Sequence, residues 1–187
     1  MNNKTVCILL ADGFEETEAL TPADIFKRLN INVTLAGVET YKVRSAHDFY
    51  IATETLLSDI SAADFDALVL PGGLPGAINL RNSQAVTDLI NQAYNNNKIC
   101  AAICAAPIVL RDAGVAKDKR ITGYPGTEQL SRTPDFHYTG SDVERDGRII
   151  TAKGMGKSAA FALEIARTLG ISEDRIQDIV ENTFINI

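Results

Sequence analysis

Short, continuous apolar runs alternate along this chain with longer stretches in which apolar residues recur every three or four positions. TVCILLA (5–11) is such a run and stops at Asp12-Gly13, the pattern of a strand buried on both faces. Residues 15–29 place Leu20, Ile25, Phe26 and Leu29 at helical spacing, with Pro22 set to bend the helix or start a second segment. NVTLAGV (32–38), DALVLPGG (66–73) and KICAAIC (98–104) read as further strands, the second ended by a glycine pair. Between residues 41 and 57 the pattern is irregular and predicts short strands outside the main sheet. Helices are expected over 83–97 with Ser83 as N-cap, over PIVLRDAG closed by Gly114, over 157–170, and over 172–184 with Ser172 as cap. VERDGRIITA predicts a hairpin around Asp146-Gly147.

Buried strands alternating with amphipathic helices predict an α/β fold, a mostly parallel sheet with helices on both faces. The length of 187 residues suits one domain spanning 1–187, and 45% apolar residues suffice for a sizeable core. A net charge of −6 argues against a nucleic-acid partner, and no basic run suggests a membrane surface. The first apolar run is too short for a signal peptide, and no stretch has the length of a spanning helix. Three cysteines without framework spacing favour a reduced, cytoplasmic setting, and with two histidines and no paired-cysteine spacing no metal site is expected.

In such sheets, sites form at the carboxyl ends of strands, here ADGFEE, PGGLPG and ICAAP. The stretch KICAAICAAP (98–107) changes from strand to helix character in its middle, and Cys104 falls on that junction. Pro107 suits the first helical turn, and Ala105 and Ala106 suit a tight corner. The free N–H groups of the helix start would favour a thiolate, lower the Cys104 pKa and receive an oxyanion. This is a nucleophile elbow with cysteine in place of serine. The alternative is a buried, inert cysteine, the expected state of Cys7 and Cys100 inside apolar strands.

A cysteine nucleophile needs a base or a charge partner, and the turn after the first strand offers Glu15, Glu16 and Glu18. Glu15 and Glu16 suit the helix dipole; Glu18 can instead face inward over the sheet edge, where burial beside a thiolate would protonate it. The string PGGLPG lacks the dinucleotide order, and Gly156-Lys157-Ser158 lacks the leading glycine of a phosphate loop, with Thr151 in its place. No cofactor is expected. Gly72 and Gly73 would let backbone N–H groups approach a substrate closely.

Taken together, ADGFEETEALTPADIFKR, VTLAGV, VLPGGLPGAINL, AAICAAP and VERDGRIITAKGMGKSAAFALEI identify a resemblance to the ThiJ/PfpI superfamily. It covers roughly residues 4–170 and points to the branch of the parkinsonism-associated protein and its bacterial relatives. The resemblance implies a flavodoxin-like three-layer sandwich and a homodimer. It makes Cys104 the oxidation-prone elbow cysteine, Glu18 the protonated carboxyl that hydrogen-bonds it, and Gly73 and Ala105 the backbone donors of the oxyanion site. It places Arg28 near a dimer-side entrance. Departures are also plain. Ala105 stands where the protease-like branch has histidine, and Tyr124, in TGYP, where the deglycase branch often has one. His47, near the usual place of a partner-subunit arginine, is a candidate source of the missing imidazole. The family's Gly-Pro-Gly-Thr is here Gly154-Met155-Gly156-Lys157.

The resemblance implies cysteine-dependent conversion of 2-oxoaldehydes such as methylglyoxal, or of their early adducts on glycated proteins, to hydroxy acids. The alternative is a redox sensor or chaperone without turnover, in which Glu18 and the helix start stabilise a Cys104 sulfinate. Peptidase or amidase chemistry is disfavoured by Ala105.

Overall fold

The computed structural model describes residues 4–133 and 137–185. Its strands are β1 (Thr5–Leu10), β2 (Asn32–Gly37), β3 (Lys42–Arg44), β4 (Tyr50–Ala52), β5 (Thr55–Leu56), β6 (Ala67–Leu70), β7 (Ile99–Ile103), β8 (Arg120–Ile121), β9 (His137–Tyr138), β10 (Val143–Asp146) and β11 (Ile149–Ala152). The α-helices are α1 (Glu16–Arg28), α2 (Gly76–Asn82), α3 (Gln84–Asn95), α4 (Pro107–Asp112), α5 (Ser158–Thr168) and α6 (Glu173–Thr183).

Seven strands form one sheet in the order β10-β11-β7-β6-β1-β2-β5, parallel throughout except for the β10–β11 hairpin. The apolar runs explain themselves there. Along β1, Val6, Ile8 and Leu10 join the apolar layer under α1, α5 and α6, while Cys7 and Leu9 join the layer under α2, α3 and α4. Both faces are covered, so both phases of each central strand must be apolar. The result is the expected three-layer α/β sandwich of flavodoxin-like type. Among the described residues, no helix is long and apolar enough to cross a membrane.

Several expectations are refined. Helix α1 runs through Pro22, which is buried and removes only the one intrahelical donor aimed at the carbonyl four residues back. β3 and β4 form a separate two-stranded sheet as predicted, but β5 adds to the edge of the main sheet beside β2. Ser83 does cap α3, accepting from Val86 N–H at 3.4 Å; Ser172 makes no side-chain cap. Helix α2 has no counterpart in the sequence reading, because its short apolar pattern is hidden behind the glycines and prolines of residues 71–76.

Candidate active site

The carboxyl ends of β1, β6 and β7 lie side by side at the middle of the sheet. β7 ends at Ile103 and α4 begins at Pro107, so the chain turns within residues 104–106. Cys104 takes φ 62°, in the left-handed region. A side chain in that region costs roughly 1–2 kcal/mol. Backbone bonds on both sides hold it there: Cys104 N–H donates to Ala152 O at 2.9 Å, and Tyr124 N–H donates to Cys104 O at 2.7 Å. Ala105 and Ala106 are buried and keep the corner tight.

Glu18 comes from the first turn of α1 and is fully buried, 0% exposed. Its Oε2 accepts from Gly72 N–H at 2.9 Å, while Glu15 N–H donates to Gly72 O at 3.0 Å. The loop after β6 is thereby fastened to the start of α1. Gly72 is required for space: a Cβ there would lie 2.7 Å from Cys104 Cβ, 2.7 Å from Glu18 Oε2 and 2.9 Å from Ala105 N. Gly73 is required for conformation as well, at φ 85° with Gly13 O and Glu15 N 2.5 Å from a would-be Cβ. The backbone N–H groups of Gly73 and Ala105 lie near enough to the Cys104 sulfur to favour its anion.

Burial raises both ionisable groups. Glu18 is pushed up to about 7, chiefly by burial, against the opposing pull of Cys104 and Gly72 N–H. The Cys104 thiol is pushed up to about 12, first by burial and then by the Glu18 charge, and the two backbone donors reverse this only in part. The sequence argument expected the thiol to fall. Its dipole is weak because α4 spans only Pro107–Asp112 and opens with a residue that has no N–H. Glu18 and Cys104 lie close enough to shift one another, yet Glu18 Oε1 is buried without a hydrogen-bond partner. The contact is a near approach rather than a closed bond. Between their two ionisations the pair holds one proton and one negative charge. Moving that proton from sulfur to Oε1 creates the thiolate and gives the orphaned oxygen a donor's role, with no change in net charge.

A cavity of about 680 Å³ opens beside the pair. Glu15, Glu18, Cys104, Tyr124, Pro125 and residues 153–157 line it. The structure thus brings together Cys104, Glu18, Gly72, Gly73, Ala105 and Tyr124. Gly72 proves to be the donor that holds Glu18. Tyr124 contributes its N–H to the corner, while its phenol side chain is 56% exposed at the cavity. Arg28 and His47 do not line this cavity. Arg28 pairs with Asp24 at 2.7 Å on the exposed side of α1. His47 Nδ1 lies 3.0 Å from Glu16 Oε1, a contact that raises its pKa. Ligand-type atoms of Glu15, Glu16 and His47 do converge within 4.8 Å of one another. The His47–Glu16 contact accounts for that group, and Cys104 is not part of it.

Sequence reasoning passed over Lys153, Met155 and Lys157 as cavity residues; the departure from Gly-Pro-Gly-Thr was the available signal. Cys7 and Cys100 are as expected. Both are fully buried in strands, with thiols pushed up to about 12 by burial.

A cysteine on a positive-φ strand-to-helix corner, beside a buried carboxyl, has the backbone geometry of an elbow on an α/β sheet. The chain belongs to the DJ-1/PfpI family, whose model matches residues 4–168. Protein dj-1beta of Drosophila melanogaster is 34% identical over 184 residues, covering 98% of this chain and 98% of that protein. The crystal structure of Drosophila melanogaster DJ-1beta superposes with a TM-score of 0.92 at 35% identity, covering 99% of this chain and 100% of that one. The protein named glutathione-independent glyoxalase DJR-1.2 of Caenorhabditis elegans is 30% identical over 167 residues, covering 89% of each.

Proposed function

We propose that this chain is a cysteine-dependent glyoxalase that converts 2-oxoaldehydes such as methylglyoxal to 2-hydroxy acids without a resident cofactor. The observation that carries the reading is the Cys104–Glu18 pair: a nucleophile and a carboxyl near 7, sharing one proton over the wall of a cavity. A base whose pKa lies near the working pH is suited to repeated proton transfer.

The chemistry balances with these residues alone. Glu18 takes the Cys104 proton as sulfur adds to the aldehyde carbon, and the same proton passes to the former carbonyl oxygen, giving a hemithioacetal. The Glu18 carboxylate then removes the hydrogen from that carbon, and the proton returns to the neighbouring carbon through the enediol. The aldehyde carbon is oxidised to a thioester while the ketone carbon is reduced to an alcohol, so no external oxidant enters. Water cleaves the thioester, releasing the hydroxy acid and restoring the thiol. The N–H groups of Gly73 and Ala105, which lower the thiol's pKa, serve in this reading as the donors to oxyanions formed next to sulfur. Early glyoxal adducts on proteins are substrates of the same class, and the reading includes a cytoplasmic homodimer.

The glyoxalase name carried by a relative 30% identical supports the reading. Lactate production from methylglyoxal by wild type and Cys104→Ala tests it. Lactate is expected from wild type only; absence of Cys104-dependent lactate overturns the reading. The sensor alternative rests on the same backbone donors around Cys104, and sulfinate formation under peroxide with no aldehyde turnover would favour it.

A further inference from the structure

We propose that the cavity beside Cys104 selects carbonyl substrates carrying an anionic group, carboxylate or phosphate, and that Lys153 and Lys157 bind that group. The inference rests on the reading of Cys104 as a nucleophile toward carbonyl carbon and specifies the substrate class.

Size is the first argument. The cavity of about 680 Å³ falls within the roughly 300–1,000 Å³ of pockets that hold drug-sized ligands. The smallest 2-oxoaldehyde fills little of it, so the substrate has a further part. Position is the second argument. Lys153 and Lys157 both line the cavity and flank the rim made by residues 154–156. That rim comes close to the nucleophile: a Cβ on Gly154 would lie 3.9 Å from Cys104 Sγ. A substrate whose carbonyl is seated on sulfur therefore has the 153–157 rim as a neighbour in the same cavity.

The two lysine head groups gather beside residues 140 and 142. Lys153 Nζ reaches Gly140 O at 3.4 Å, and Lys157 Nζ pairs with Asp142 at 2.7 Å. Asp142 is held below the usual carboxylate range by Lys157, its hydrogen-bond partner, with Lys153 adding to the effect, so both ammonium groups bear on one point. The Lys157–Asp142 pair is exposed, at 41% and 56%. Such a pair contributes little on its own and exchanges readily for another anion. Glu15, which also lines the cavity, faces His47 at 3.9 Å, and Glu18 is fully buried. The chain carries a net charge of −6, so two lysines at this mouth do not belong to a generally basic surface.

The test compares Cys104 alkylation by two probes of similar size, anionic iodoacetate and neutral iodoacetamide, in the full-length protein. Rates are read by mass spectrometry for wild type, Lys153→Gln, Lys157→Gln, the double variant and Lys157→Arg. The iodoacetate-to-iodoacetamide rate ratio is expected to fall about fivefold to tenfold in the double variant. Lys157→Arg should keep the wild-type ratio, and added salt should lower the wild-type ratio toward that of the double variant. A ratio constant within about twofold across all variants overturns the proposal. A second arm compares kcat/KM for a 2-oxoaldehyde bearing a phosphate, one bearing a carboxylate, and methylglyoxal. The charged substrates are expected to lead in wild type and lose that lead in the double variant, and the larger lead identifies the anion. Equal preference in wild type and variant overturns the proposal. Alkylation needs no turnover, so the two readings fail separately. A lysine-dependent ratio without turnover of any aldehyde sinks the glyoxalase reading alone, and turnover with a flat ratio sinks the lysine proposal alone.

Discussion

Replacing Glu18 by glutamine should make the folded chain more stable at neutral pH while abolishing turnover. A carboxyl raised from an ordinary 4.5 to about 7 binds its proton more tightly in the folded state by roughly 3 kcal/mol. The sign follows from the direction of the shift. Because the folded pKa is the higher one, the stabilisation is complete below 4.5 and is lost as pH rises through about 7. Wild type should therefore lose roughly 3 kcal/mol between pH 4.5 and pH 8, a fall of about 6–12 °C in melting temperature for a chain of this size. Glutamine cannot ionise, and its amide oxygen can still accept from Gly72 N–H, as the Glu18 carboxyl does. Its stability should stay nearly level over the same window. His47 also titrates here, with a raised pKa, but it does so equally in both proteins. The difference between the two curves thus isolates Glu18. Melting temperatures by calorimetry at half-unit pH steps, with lactate assays on the same samples, make the measurement. Parallel wild-type and Glu18→Gln curves from pH 5 to 8 would refute the buried-base argument, and full turnover in Glu18→Gln would remove Glu18 from the mechanism.

Further outcomes follow from the same geometry. Cys104→Gly should be more stable than Cys104→Ala by about 1 kcal/mol, because both lose the sulfur and only glycine is at ease at φ 62°; denaturant melts decide this, and the reverse order would deny strain at the corner. Gly72→Ala should cost about 1–3 kcal/mol and nearly all turnover, since the new methyl collides with Cys104 Cβ and Glu18 Oε2 at 2.7 Å. Native iodoacetamide labelling should reach Cys104 well before Cys7 and Cys100, both of which are fully buried; equal labelling of all three by mass spectrometry would undo the assignment of the elbow.

The sheet was legible because parallel strands covered on both faces must be apolar in both phases. TVCILLA, DALVL and KICAAIC announce themselves on that ground alone, and their observed bounds lie within a few residues of the expected ones. The corner at Cys104 was legible too, since Ala-Ala-Pro after a buried strand leaves few alternatives to a tight turn into a helix. What strand length does not specify is edge pairing. β5, of two residues, joins the main sheet through a two-pair ladder with Ala36 and Gly37, and nothing in Thr55-Leu56 distinguishes it from the neighbouring hairpin.

The carboxylate was readable in principle from helical period. Residues 18, 22, 25 and 29 recur at helical spacing, and all four are buried. Glu18 is therefore committed to the core by the same stripe that carries Pro22 and Ile25. Glu16 turns away to His47, and Glu15, three positions before Glu18, lines the cavity with it. For the thiol, the dipole can be inferred from the sequence whereas the opposing desolvation cannot. Burial depends on how α1, the β6 loop and the 153–157 segment close around the sulfur, and these come from widely separated parts of the chain. The same burial that opposes a free thiolate raises Glu18 to about 7. A carboxyl at 4.5 would be a weaker base still toward a thiol raised to about 12. Burial raises both members together, the carboxyl from 4.5 to about 7 and the thiol from 9.0 to about 12, so the proton's preference for sulfur stays close to what it is in water. What the fold supplies is proximity, and the fit of Gly72 between Cys104 and Glu18 is as much a condition of the chemistry as either side chain.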